Sequence, residues 1–450
     1  MAKKISLKVE MTTPFYVSSR KYQTFNETKD FIPASTLRGT LASSICEKSP
    51  KWQCEQCDVK TECNFDRIFI NGGKIRFEHL YPLRYDSYAD EAKSRVFPAT
   101  TVSCKRRPGI LTEFLYRPYK EKEKIYDKPP HGVFDVLIVQ LAYQLLNNYS
   151  YDIKCFNPDC KSKVEPFSGF YNFVPTNERE SKSFFAKETK YKTAIVQSSP
   201  KKRRLVRTAI NRYSRTAEEN LLFSLEVVEE KSYFYATVTV KQDDLAPIIQ
   251  TELKKLKHRR FGGVRSRGLG EIGLAYHINF VDFDSKLRER VETFNHFLRS
   301  YLKKLSPDAQ CTDTYFTINL QSDAILKNER GEQAAVISEN TLKTQLQSLQ
   351  SGLSLDGLKL VKWVTSQSLY SGWSDAWKLP KNVGSTIGCG SVFVFKVKSL
   401  TDELISALEQ LQIWGIGERC EEGYGRLIIC DPFHWGFQEK EEDYDENWRY

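Results

Sequence analysis

Eleven cysteines lie in this 450-residue chain, and two groups of them are spaced for metal ligation. Cys46, Cys54, Cys57 and Cys63 read C-x7-C-x2-C-x5-C. The C-x2-C pair is the knuckle spacing of a tetrahedral zinc site, and the polar segment around it lacks an apolar core, so a metal would make it fold. Cys155 and Cys160, in CFNPDC, form a second turn with ligand spacing. Either Cys46 completes a local site, or the set is Cys54, Cys57, Cys155 and Cys160. Zinc is the expected ion and an iron–sulfur cluster the alternative; in each case the role is scaffolding. Cys104, Cys311, Cys389, Cys420 and Cys430 have no such spacing and are expected in the core.

The second chemical signal is FGGVRSRGLGEIG, residues 261–273. Gly262, Gly268 and Gly270 read G-x5-G-x-G, and Gly417, Gly423 and Gly425 repeat that spacing. A dinucleotide loop follows a strand and opens a helix, whereas here a helix enters and a strand leaves; a Walker loop would end in Gly-Lys-Ser/Thr, which is missing. What remains is a turn at Gly262, Gly263, Ser266, Gly268 and Gly270 whose amides can approach an extended phosphate backbone, with Arg265 and Arg267 supplying charge. Lys254, Lys255, Lys257, Arg259 and Arg260 precede it. The second loop carries Glu418, Glu421 and Glu422, so a purely structural role is expected there.

The elements that position these loops also repeat. Residues 5–17 alternate as a strand, residues 33–47 have apolar residues at helical spacing, and residues 220–240 read as two strands around a polar turn. A helix over residues 243–260 carries aspartates at its start and bases at its end. In the second half, strands at 314–326 and 391–398, a helix at 401–412 and the second glycine loop follow the same order. The chain is therefore expected to be α+β, with two tandem ferredoxin-like, RRM-like units and a Cys-rich metal-binding insertion. The expected boundaries are 1–285 for the first unit with its insertions, 286–313 for a helical linker, 314–437 for the second unit and 438–450 for an acidic tail. Hydrophobic residues make up 40% and the net charge is +10, which suits a globular chain with a polyanion partner. The N-terminus lacks a signal-peptide core, and the longest apolar run, 133–146, is too short to span a bilayer. A cytoplasmic protein with reduced thiols and no membrane contact is expected.

In this setting FIPASTLRGTLAS (31–43) resembles the IPxSxLKG helix start of the RAMP superfamily of CRISPR proteins, and GGVRSRGLGEI resembles its glycine-rich loop. Within it, IRFEHLYPL, FPATTVSCKRRPG, HGVFDVLI, CFNPDCKSKVEPFSGFY and RTAINRYSRTAEENLLFSLEVV are most similar to the Csx-type RAMP subunit of type III-D effector complexes. The resemblance covers most of the first 275 residues. It implies a non-catalytic subunit that holds the 5′ handle of the CRISPR RNA (crRNA) and contacts the large polymerase/cyclase-like subunit and backbone RAMP subunits. It also implies that Ser35, Thr36, Arg38 and Gly39 sit at a helix N-terminus facing RNA, with the 262–270 loop beside them. Arg38 stands where the family has lysine and keeps the charge.

Two more basic stretches are candidates. SPKKRRLVRTAINRYSR (199–215) carries Lys201, Lys202, Arg203, Arg204, Arg207, Arg212 and Arg215; it reads as a flexible arm that orders on RNA, with Tyr213 available to stack. Lys105, Arg106 and Arg107 lie in an expected loop. The main rival is a CRISPR RNA-processing endoribonuclease using a histidine, but none of the six follows the first strand, where processing relatives place theirs. His258 in its basic cluster is the best base candidate. A target-cleaving relative would offer an aspartate before the helix start; Asp30 lies closer to it than the family pattern has it. A protein-only scaffold is the remaining alternative.

Overall fold

A computed structural model describes residues 2–22, 25–46, 63–70, 75–84, 94–110, 130–148, 151–157, 159–175, 193–211, 213–273, 278–281, 286–374 and 379–436. Two units with one connectivity account for most of the core.

The first begins with the strand Lys3–Met11, continues through the helix Ala34–Cys46 and the strand Ile75–Phe77, and resumes at the strand Tyr233–Val240. The helix Leu245–Lys254, the glycine loop and the short strand Ile272–Gly273 complete it. In space the strands run Ile272–Gly273, Lys3–Met11, Tyr233–Val240, Ile75–Phe77, all antiparallel. Alternation in KKISLKVEM sends Ile5, Leu7, Val9 and Met11 to one face, where Leu37 and Leu41 of the first helix and Ile249 and Leu253 of the second cover them.

The second unit repeats the plan with the strand Thr314–Leu320, helix Glu339–Leu349, strands Lys359–Val364 and Val392–Val397, helix Asp402–Trp414 and strand Leu427–Ile429. Its spatial order is Leu427–Ile429, Thr314–Leu320, Val392–Val397, Lys359–Val364, the same permutation as in the first unit. Thr401 caps the helix Asp402–Trp414, its hydroxyl accepting from the Leu404 amide at 3.2 Å. The helix Leu287–Leu305 also packs on this sheet: Asn295 exchanges hydrogen bonds with the Tyr315 backbone at 2.7 and 2.8 Å. The helix Leu137–Leu145, from the first half of the chain, buries Leu137, Ile138, Leu141 and Ala142 in the same apolar cluster. Among the described residues no helix is long and apolar enough to cross a membrane.

The two glycine loops are built alike, bond for bond. Each contains one 3-10 turn, Arg265–Arg267 or Cys420–Glu422, flanked by left-handed residues: Val264 and Gly268, or Arg419 and Gly423. The Phe261 amide donates to the Gly270 carbonyl at 2.8 Å, and the Ile416 amide to the Gly425 carbonyl at 3.0 Å. At Gly270 and Gly425 a side chain is excluded twice over. The φ values are +83° and +67°, and a Cβ would lie 2.0 Å from the Phe261 oxygen or 1.9 Å from the Ile416 oxygen.

Gly425→Ala and Gly270→Ala should therefore each destabilise the fold by more than about 2 kcal/mol, since both backbone strain and a clash must be relieved. Gly39→Ala, in the middle of the first helix with nothing within 4 Å of the new methyl, should stabilise it by about 0.5–1 kcal/mol. Urea unfolding of the three variants checks the contrast.

Candidate nucleic-acid interface

The start of the first helix is held by a histidine. The Ile32–Leu80 bridge brings the two segments together, and the Ala34 amide donates to His79 Nδ1 at 2.9 Å. This satisfies one of the amides that a helix N-terminus leaves without an internal partner. His79 is buried, and burial, reinforced by Lys29 and Arg426 nearby, lowers its pKa to about 3; the ring is neutral and serves as an acceptor. Ser35 and Gly39 are exposed, Thr36 and Arg38 half-buried, and the Arg38 guanidinium lies 5.2 Å above the Phe69 ring.

The second glycine loop, not the first, docks on this helix start. A Cβ at Gly423 would come within 2.6 Å of both the Ala34 Cβ and His79 Nδ1, so only glycine permits the approach. The loop's negative charge is largely cancelled where it matters: Glu422 accepts from Arg419 at 2.5 Å and from Lys381 at 2.8 Å. Burial opposes its ionisation, but these two bases hold its carboxyl below the ordinary range. The first loop packs elsewhere. Its Gly263 amide donates to the Tyr16 carbonyl at 2.8 Å, and Gly262 is pressed against the same residue.

Docking of the second loop completes an aromatic wall that sequence reasoning does not identify. Phe31, half-buried just before the helix, lies 5.0 Å from His79, 5.7 Å from Tyr81 and 6.2 Å from Phe170. Tyr424 of the loop continues the wall, 5.9 Å from His79 and 6.3 Å from Tyr370. Lys29 sits 5.2 Å over the Phe31 ring, and Arg419 lies 5.4 and 5.2 Å from the rings of Tyr370 and Tyr424. Half-exposed rings edged by cations are the surface on which single-stranded bases stack. The only hint in the sequence is position: Phe31 immediately precedes IPAS, and Tyr424 stands between two loop glycines.

The basic stretch at 199–215 is not a flexible arm. Residues Lys202–Ile210 form a strand paired with Ala217–Val228, and Tyr213, fully exposed, stands at the hairpin tip, where Asn211 Oδ1 accepts from its amide at 2.9 Å. Lys202 binds Asp30 at 2.6 Å and Glu226 at 2.9 Å, Arg203 binds Glu230 at 2.9 Å, and Arg204 lies 4.6 Å over Phe25. Lys201 and Arg215 are exposed and Arg207 half-buried; Arg212 lies outside the described residues. The first glycine loop joins this hairpin, with Leu269 and Val264 packing against Leu205, Phe223, Leu225 and Val227. Arg265, Ser266 and Arg267 are exposed beside it, Arg260 donates to the Arg265 carbonyl at 3.1 Å, and Arg259 is half-buried. Asp30 ties the hairpin to the segment leading to Phe31, so the sequence-derived patches and the aromatic wall share one connecting segment.

The structure bears on one part of the cysteine expectations, the partners of Cys155 and Cys160. Cys54 and Cys57 lie outside the described residues, and Cys46 and Cys63 are half-buried. Cys155 and Cys160 meet Cys104 and His131 instead, with the four donor atoms within 4.8 Å of one another, an arrangement that could hold a metal ion. Cys104, expected as a core residue, is buried and is one corner of this cluster. Lys105 and Arg106, both exposed, and Arg107, half-buried, form the turn that leaves it, Lys105 reaching Glu165 at 3.0 Å.

The RAMP superfamily model matches residues 8–272, more than half the chain, and this interval holds the helix start, the hairpin and the first glycine loop. The chain belongs to the RAMP superfamily. Solved structures similar to this RAMP protein include chains of the Type III-B Cmr-beta complex bound to cognate target RNA. One is 13% identical with a TM-score of 0.30, spanning 62% of this chain and 97% of its own; another is 13% identical with a TM-score of 0.32, spanning 90% and 93%. A Thermus thermophilus Cas6 structure is 12% identical with a TM-score of 0.25, over 44% of this chain and 75% of its own. No curated protein matches the chain.

The buried cap makes the RAMP fold acid-sensitive. His79 has a folded pKa of about 3 against an ordinary 6.5, so below pH 6.5 the unfolded chain binds the extra proton and stability falls as pH drops towards 3. Glu78, held at about 2 against 4.5 because Arg426, Lys4 and Arg76 outweigh its burial, adds the same sign of loss between pH 4.5 and 2. Between pH 6.5 and 4.5 the loss steepens as the unfolded chain takes up a proton that buried His79 does not bind. Comparing wild type with His79→Gln by urea titration at several pH values should show a shallower slope in the variant across that window.

Proposed function

We propose that this protein is a non-catalytic, RNA-binding subunit of a type III CRISPR effector complex that grips the 5′ handle of the crRNA. The observation that carries the reading is the aromatic wall of Phe31, Tyr424 and Tyr370, edged by Lys29 and Arg419 and built across the start of the first helix. Splayed handle bases stack on these rings, and phosphates follow the end of the helix at exposed Ser35 and half-buried Thr36, where the dipole is positive. The hairpin carrying Arg203, Arg204 and Arg207 and the loop carrying Arg265 and Arg267 extend the track. The shared strand permutation of the two units supports reading them as tandem ferredoxin-like, RRM-like modules. In this reading the partners are crRNA, the large polymerase/cyclase-like subunit and the backbone RAMP subunits, and the setting is the cytoplasm.

A non-catalytic role also agrees with the surroundings of three histidines, two of them buried. His79 caps a helix, His131 faces three cysteines, and His434 is buried 3.0 Å from Asn319 and 3.1 Å from Asp135. Asp30, the nuclease candidate, is tied to Lys202.

The test is RNA binding by the protein purified with its operon neighbours, using a repeat-derived handle and a scrambled RNA of equal length. Phe31→Ala/Tyr424→Ala should weaken handle binding by tenfold or more, since each stacked base is worth about 1–3 kcal/mol, and leave the salt dependence unchanged. Arg203→Ala/Arg207→Ala should instead flatten the plot of log affinity against log salt by about 0.7 in slope for each phosphate that is no longer neutralised. Equal affinity for the scrambled RNA would remove the handle-specific role, and crosslinks absent from residues 201–215 and from Arg265 and Arg267 would remove RNA binding at these surfaces.

A further inference from the structure

The cluster of Cys104, His131, Cys155 and Cys160 is assembled from three separate stretches of chain, and its dimensions discriminate among its uses. The Cys104 and Cys160 sulfurs are 3.8 Å apart, too far for a disulfide, and Cys155 Sγ is 3.3 Å from His131 Nδ1. A tetrahedral zinc ion with ordinary Zn–S and Zn–N bonds separates two sulfurs by about 3.8 Å and a sulfur from an imidazole nitrogen by about 3.6 Å. The sulfur–sulfur edge equals that of a single-ion site, and the sulfur–nitrogen edge is about 0.3 Å shorter. All four donors close within 4.8 Å, whereas an iron–sulfur cluster, whose irons are bridged by sulfide, spreads its cysteines more widely.

The backbone amides of Arg106 and Arg107 donate to the Cys104 sulfur, and the Asn157 amide donates to that of Cys155. The Cys155 amide donates to the Ser162 carbonyl and the Cys160 amide to the Asn157 carbonyl, both at 2.9 Å, which closes the CFNPDC turn. The His131 amide donates to the Arg107 carbonyl and the Lys105 amide to the Lys163 carbonyl, both at 3.0 Å, so the ligand-bearing segments also brace the turn between them. Thr101–Cys104 is the central strand of a three-stranded sheet, flanked by Val133–Asp135 and Val164–Pro166.

We infer that Cys104, His131, Cys155 and Cys160 form a structural zinc site that fixes the Lys105–Arg107 turn as a rigid basic knuckle. The ion would cross-link three chain segments at a small buried cluster, which among the described residues consists of the three cysteines alone. The exposed basic side chains would then approach a phosphate backbone from a turn that loses no conformational freedom on binding, which is where pre-organisation raises affinity. The zinc assignment is independent of the RNA-binding reading; only the role of the knuckle rests on it.

The test uses metal analysis and cobalt substitution of the full chain purified with its operon neighbours. Cys104→Ser and Cys160→Ser should each remove one zinc equivalent, while Cys54→Ser/Cys57→Ser should leave that equivalent in place. Cobalt exchanged into the wild type should give thiolate-to-metal charge-transfer absorption and the intense d–d bands of a tetrahedral ion. His131→Cys should retain the metal and move those d–d bands to longer wavelength, which shows the site intact in a folded variant. Unchanged zinc content in Cys104→Ser, loss of metal only from Cys54→Ser/Cys57→Ser, or visible iron–sulfur absorption in the purified protein would each overturn the assignment. If zinc is confirmed but Arg106→Ala/Arg107→Ala leaves RNA affinity unaltered, the site stands and the knuckle role falls.

Discussion

Everything at the centre of this molecule depends on charge buried between its two repeated units. Arg76, in the strand Ile75–Phe77, is 2% exposed, and its guanidinium donates to the carbonyls of Gln412 and Ile413, at 3.3 and 2.8 Å, in the last turn of the helix Asp402–Trp414. A cation from the first unit thus caps the negative end of a helix in the second. Two residues later, Glu78 accepts from Thr237 within its own sheet and pairs with Arg426 of the opposite unit at 3.3 Å. Removing one member of such a set strands a desolvated charge, at a cost of about 3–5 kcal/mol. The units are locked in one arrangement by groups that have no other place to go.

That lock sets the geometry of the aromatic wall. His79 follows directly on Glu78, so the strand segment that carries the ion pair also carries the cap for the first helix. Arg426 follows directly on Gly425, so the same pairing draws the second glycine loop, with Tyr424, against the helix start. The aromatic wall is therefore a property of the seam, shared by two halves of the chain, and neither unit alone contains it. A duplicated fold here has diverged in role: one loop braces a basic hairpin, the other closes a joint.

How much of this can be read from sequence follows from the range of the interactions. The two loops are legible because positive-φ turns impose glycine locally, and Gly262, Gly268 and Gly270 find their counterparts in Gly417, Gly423 and Gly425 without any knowledge of partners. Much of both units is legible from alternation and helical spacing, but the helix Glu339–Leu349 and the strands Ile75–Phe77 and Lys359–Val364 are not read from it. The hairpin is hidden because seven basic residues in one stretch read as solvated; the acids that pair with them, Asp30, Glu226 and Glu230, lie elsewhere in the chain. The cysteine cluster is half-hidden for the same reason. Local spacing flags Cys155 and Cys160, but Cys104 and His131 are brought in only by the pairing of Thr101–Cys104 with Val133–Asp135. Which loop meets the helix start depends on docking between units, and the acidic character of the second loop argues against it until Arg419 and Lys381 neutralise Glu422.

The helix Leu137–Leu145 has a consequence for how the chain is made. Its buried residues lie against Leu287, Val291, Phe294 and Leu298, so their covering surface is synthesised roughly 150 residues later. At about 5–20 residues per second on the ribosome, this apolar stripe waits of order ten seconds or more before its partner emerges. Contacts of such long sequence separation are slow to form. The chain must therefore be born with an unfinished core, and the interval in which Leu137, Ile138 and Leu141 lie uncovered is when a chaperone or a wrong partner can reach them.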